Sequence, residues 1–77
     1  MADERSLTFG ERAVGLKFNP SGENAVDVLK QAAAAFIDIC HEAREAATND
    51  EAKTMYALAI REAQAAQMWS VKAATWR

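Results

Sequence analysis

One cysteine, one histidine, one proline and three glycines are all that this 77-residue chain contains of those types. Cys40 alone can form no internal disulfide. One Cys with one His also falls short of the four ligands of a structural zinc site. Both staples that usually support so small a domain are therefore missing. Basic charge is scarce as well. Nine Lys and Arg against eleven Asp and Glu leave a net charge of −2, whereas nucleic-acid binders present a basic face. DNA and RNA are not expected partners. No apolar run approaches the roughly 18 residues of a membrane span, and Met-Ala-Asp-Glu-Arg at the start is no secretory leader. The expectation is a cytoplasmic protein that does not enter a membrane.

Large apolar side chains are also few. The apolar share is 51%, but eighteen alanines make up nearly half of it. Alanine contributes little on burial, against about 1.5–3 kcal/mol for a large aliphatic or aromatic side chain. With no staple and a thin core, stability is expected to come from self-association.

Against this background one stretch stands out. "GLKFNPSGEN" (Gly15 to Asn24) holds the only proline and two of the three glycines. Residues 1–20 before and within it read as an N-terminal arm, with a turn at 19–22. Leu7, Phe9, Val14, Leu16 and Phe18 follow no clean period there. Gly10 and Gly15 are expected to interrupt any helix, leaving at most a short turn from Glu11 to Val14. An arm this apolar packs on something.

A helix is expected from about 23 to 47, with Ser21 or Asn24 as its N-cap and Glu23 and Asp27 favouring its positive end. Val26, Leu29, Ala33, Phe36, Cys40, Ala43 and Ala47 then recur at spacings of three and four, a heptad seam. Cys40 on that seam reads as core, with Lys30 and Gln31 outside it. Thr48-Asn49-Asp50 ends the pattern and caps a second helix over about 50–75. So short a link makes the two helices antiparallel neighbours. In the second, Ala52, Tyr56, Ala59, Ala63, Ala66, Ser70 and Ala73 form a seam of mostly small residues. Met55, Leu58, Trp69 and Trp76 lie on one flank, and Ile60 and Val71 on the other. A two-helix hairpin cannot cover both flanks, so other subunits are expected to. The fold class is all-α: an arm and an antiparallel two-helix hairpin, assembled as a homo-oligomer.

"FGERAVGLKFNPSG" followed by a hairpin ending in "REAQAAQMWSVKAATW" resembles a family of small phage proteins. These are the anti-defence sponges that counter cyclic-oligonucleotide signalling (CBASS), with relatives that counter the Thoeris system. The likeness runs from Leu7 to Trp76. It implies a compact helical hairpin with an N-terminal arm, assembled as a hexamer. It further implies that cyclic dinucleotides, cyclic trinucleotides or cyclic ADP-ribose isomers are held between subunits without cleavage, which denies a host effector its signal. The residues themselves lead only to a capped hairpin that needs partners; the ligand comes from the resemblance.

Such a ligand needs cations and N–H groups for its phosphates and flat apolar surfaces for its bases. Pro20, Ser21 and Gly22 open a helix whose N–H groups suit a phosphate. Phe18 suits base stacking, Asn19 a base edge, and Lys17 or Arg12 a phosphate charge. The structural alternative is a plain turn with Phe18 stapled to the first helix. By approximate spacing, Lys30 resembles the family's phosphate-binding lysine; the alternative is a solvated lysine paired with Asp27. Arg61 resembles a cyclic-trinucleotide contact of some relatives, three copies of which would suit a three-phosphate ring. Its alternative is an ion pair with Glu62 or with an acid of the first helix. Lys72 and Thr75 are weaker candidates of this kind.

Trp69 and Trp76 are expected at a subunit interface, and His41 as an ordinary helix-surface histidine. No nucleophile–base pair or metal-ligand cluster is visible, so a binder without cofactor or metal is expected, not an enzyme. A second reading is a hairpin interaction module with no small-molecule ligand, which predicts that Lys30→Ala changes surface charge alone.

Overall fold

The computed structural model describes residues 6–77; the start of the arm and the reading of Met1–Arg5 as no leader lie outside them. The described residues form three helices and no strand: α1 (Phe9–Ala13), α2 (Asn24–Ala46) and α3 (Asp50–Ala74). Residues 47–49 join α2 to α3, which pack against each other as an antiparallel hairpin.

Helix α1 corrects the reading of the arm, because Gly10 lies inside a helix. Local chemistry explains its start. The Thr8 hydroxyl accepts from the Glu11 amide while the Glu11 carboxylate accepts from the Thr8 amide, a reciprocal capping box. Its stop is the expected one at Gly15, which adopts φ 62°. The Leu16 amide returns to the Glu11 carbonyl and the Gly15 amide to that of Arg12, a Schellman closure that favours glycine at the left-handed position. Five residues are too few for a helix to persist alone. Docking on α2 holds it.

Gly10 makes that docking possible. A β-carbon there would lie 2.1 Å from the Ala34 carbonyl oxygen. The bare backbone lets the Gly10 amide donate to Asp38 Oδ1 at 2.7 Å. Alongside, Phe9 stacks on His41 with ring centroids 4.1 Å apart, and Arg44 donates toward His41 Nδ1 at 2.9 Å. His41 is therefore a half-buried docking residue, not a surface histidine.

The docked helix also moves the seam of α2. Val26, Lys30, Ala34, Ile37 and Cys40 are its buried residues. Phe36, expected in the seam, is 51% exposed, and Lys30, expected outside it, is buried. The centre of the buried arc is rotated because α2 covers two neighbours, α1 and α3, rather than one. The core joins Val14, Ala34, Ile37, Cys40 and Ile60, with Phe9, Leu16, Tyr56 and several alanines packed around it. Ile60, read as a flank residue awaiting another subunit, is thus interior. Cys40 is core as expected.

The caps of the long helices differ. Asn49 accepts from the Ala52 amide at 2.7 Å and caps α3. Helix α2 has Glu23 at the cap position and no side-chain capping bond, so neither Ser21 nor Asn24 is its cap. Ser21 Oγ instead accepts from the Glu23 amide. The molecule is a thin plate, 44 × 29 × 12 Å. So thin a plate has little interior. Met55, Leu58, Met68, Trp69 and Trp76 of α3 and the following turn are all more than half exposed.

Candidate functional site

The α1–α2 connection is built from two consecutive turns. The Phe18 amide donates to the Gly15 carbonyl, and the Gly22 amide to the Asn19 carbonyl. Pro20 presets the second turn, and Gly22 leaves it at φ 69°. Asn19 ties the turn to α2: its amide nitrogen donates to the Glu23 carbonyl and to Asp27 Oδ1, both at 3.0 Å. Its own oxygen accepts from Ser21 at 2.7 Å. These bonds tie the loop to itself and to the start of α2.

Lys30 reaches this loop from the first turns of α2. Its Nζ donates to the Gly15 carbonyl at 2.9 Å and to the Phe18 carbonyl, and sits 5.5 Å from the centre of the Phe18 ring. Among the described residues its partners are carbonyls, not carboxylates, since Asp27 is engaged by Asn19. A buried cation without an anionic partner leaves positive potential at its site. Lys30 is thus neither a solvated lysine nor a partner of Asp27.

Two clefts flank the loop. One, of about 310 Å3, is lined by Phe18, Asn19, Pro20, Ser21, Val26, Lys30, Val71 and Thr75. The other, of about 410 Å3, is lined by Leu7, Glu11, Arg12, Gly15, Leu16, Lys17 and Phe18. Phe18 is the wall they share. The residue is 72% exposed, so it is no hydrophobic staple. Leu16 is the residue of this stretch that packs on the core. Each cleft lies at the lower end of the volumes that small-molecule sites enclose.

Of the residues singled out from the sequence, Phe18, Asn19, Pro20, Ser21, Lys30 and Thr75 therefore come together around one cleft, and Arg12 and Lys17 beside the other. Thr75 Oγ1 donates back to the Val71 carbonyl at 2.9 Å, and these two residues form the cleft's far wall. Gly22 shapes the turn but does not line either cleft. Arg61 is exposed elsewhere on α3 and forms no ion pair with Glu62 or with an acid of α2 among the described residues. Lys72 lies 5.4 Å from the Trp69 ring and 5.6 Å from the Trp76 ring. Its cleft, with Ala65, Met68 and Trp69, is a different one.

The sequence reading missed Val26 and Val71 as walls of the loop cleft. Each had been placed by helix periodicity alone, which says nothing of how the α1–α2 loop folds back over the hairpin's open end. It also missed the ion pair between Glu23 and Arg77, 54 residues apart in the chain.

Chemically the loop cleft offers one buried ammonium group, one exposed aromatic face, apolar walls and hydroxyl groups. That set suits an aromatic anion. No curated protein and no solved structure matches the chain. A family model does, over residues 11–75, and its description is Acb2/Tad1, hairpin domain. The matched span takes in the Arg12–Lys17 side, the whole loop and both long helices. The chain belongs to the Acb2/Tad1 hairpin-domain family, the sponges directed against CBASS and Thoeris signalling.

Proposed function

We propose that this protein sequesters cyclic oligonucleotide second messengers, cyclic di- or trinucleotides or cyclic ADP-ribose isomers, and holds them without cleavage in pockets completed between subunits of a homo-oligomer, a hexamer. Antiphage signalling is blocked because the ligand is withheld from its effector. The observation that carries this reading is Lys30: a buried cation, bonded to carbonyls, on the wall of a cleft whose rim is the exposed Phe18 ring. Phosphate answers the charge, and a base answers the ring, a stack worth about 1–3 kcal/mol. The small volume of the cleft in one chain supports completion by a second chain. The exposed apolar stripe of α3 supports assembly.

The test is a thermal-shift series with cyclic dinucleotides, cyclic trinucleotides and cyclic ADP-ribose isomers. At one hundred times its dissociation constant a ligand adds about 2.7 kcal/mol, which raises the midpoint of a domain this size by about 10–20 °C. Heat denaturation should then release the ligand intact. Linear or hydrolysed product would make the protein a nuclease and overturn the reading. The exposed stripe of α3 also suits a hairpin interaction module. A well-assembled oligomer indifferent to all these ligands would favour that second function.

A further inference from the structure

We infer that Glu23 and Arg77 form a charge clasp across the rim of the loop cleft and set its discrimination among anions, an inference that rests on the sponge reading for its ligand. The cleft has two walls from distant parts of the chain: the loop with the start of α2, and the last turn of α3. Arg77 Nη2 lies 2.5 Å from Glu23 Oε1 and joins them. Both anchors are tied to lining residues. The Glu23 amide donates to Ser21 Oγ at 3.1 Å, and its carbonyl accepts from Asn19 at 3.0 Å. Arg77 follows Thr75 by two residues, and its Nη1 donates to the Trp76 carbonyl at 3.2 Å.

Before any ligand arrives Arg77 is paired with Glu23, whereas Lys30 has carbonyl partners and no carboxylate among the described residues. Lys30 and Arg77 are positive; Glu23 and Asp27 are negative, with Asp27 held by Asn19. An anion reaching Lys30 alone gains nothing from Arg77, whose charge Glu23 already answers. A ligand with a second phosphate near the rim gains more, because it replaces the Glu23 carboxylate on the Arg77 fork. Glu23 is thus a selectivity residue that disfavours small anions, and Arg77 is a second phosphate-binding residue, occupied internally until the ligand displaces its partner.

Two exposed side chains can be changed without touching the core. Binding of 3′,3′-cyclic di-AMP is measured by calorimetry for the wild-type assembly, Glu23→Gln and Arg77→Gln. Affinity should rise about tenfold in E23Q and fall about tenfold in R77Q, the size of one charge-assisted hydrogen bond at a partly exposed site. Two variants that bind as the wild type does, or that shift in the same direction, would overturn the clasp. A readout without ligand separates this idea from the sponge reading. In amide correlation spectra of the free protein, E23Q should displace the Thr75 to Arg77 resonances, whatever the protein binds. Unmoved resonances there would refute the clasp even if cyclic di-AMP binds, whereas a wild type that ignores every cyclic nucleotide would sink the sponge reading and leave the clasp to be judged on these spectra.

Discussion

Gly10 and Gly22 lack a side chain for separate reasons, and the two substitutions should behave differently. At Gly10 the backbone is ordinary helix, but a β-carbon would be 2.1 Å from the Ala34 carbonyl oxygen. Gly10→Ala must lift α1 from α2 and should cost about 1–3 kcal/mol, as overpacking does. At Gly22 the space is open and the backbone is left-handed, φ 69°. Gly22→Ala should cost about 1–2 kcal/mol through strain at that position alone. Thermal unfolding measures both, and amide exchange separates them, since only Gly10→Ala should expose the amides of α1. Lys30 carries a third residue-scale expectation. Lys30→Met removes the donor to the Gly15 and Phe18 carbonyls as well as the charge. The ligand-free protein should lose about 1–3 kcal/mol, and the ligand-induced thermal shift should vanish. A variant as stable as the wild type would mean that the lysine does not hold the loop.

At the scale of elements, α1 exists because three weak contributions coincide: a capping box, a Schellman closure and a docking face. Thr8→Ala removes the cap acceptor and should cost about 1 kcal/mol, read as a lower midpoint in urea. The long helices declare their starts and stops in the sequence. Thr48-Asn49-Asp50 marks the break between them, and Asn49 caps α3 as the residue type suggests. Helix α2 was expected over about 23–47 and runs from Asn24 to Ala46. Its periodicity was legible, but its orientation was not. The expected stripe through Leu29, Ala33 and Phe36 and the buried one through Lys30, Ala34 and Ile37 both keep helical spacings of three and four, and they share Val26 and Cys40. Which one faces inward depends on α1, and α1 was hidden because a glycine in a five-residue helix reads as a breaker. The site was legible to the extent that its groups are local. Phe18 to Ser21 are adjacent in sequence, and Lys30 lies on the helix that follows. Val71, Thr75 and Arg77 approach the loop only after the hairpin has closed, and of these Arg77 carried no signal in the sequence.

For the whole molecule, the thin plate and the exposed side chains of α3 bear on assembly. Met55, Leu58 and Trp69 are 62%, 54% and 70% exposed, and their spacing of three and eleven residues places them along one stripe. Leu58→Glu puts a charge in that stripe without disturbing the core. If the stripe is a subunit contact, sedimentation of the wild type should report an oligomer and that of Leu58→Glu a smaller species. On the proposed reading, in which a second subunit completes the pocket, binding of a cyclic dinucleotide should weaken with it. A wild-type protein that sediments as a stable monomer would refute the assembly.

By itself the sequence determined the helical class, the hairpin with its capped break, the thinness of the core and the presence of one special loop. Those properties follow from composition, from helix periodicity and from turn chemistry, all of which act over a few residues. Only the tertiary structure decided that α1 docks through a bare glycine, that Lys30 points inward to the loop carbonyls, and that the end of α3 meets the start of α2. Each of these is a contact between distant residues. Its free energy depends on which surfaces meet, and local spacing carries no record of that.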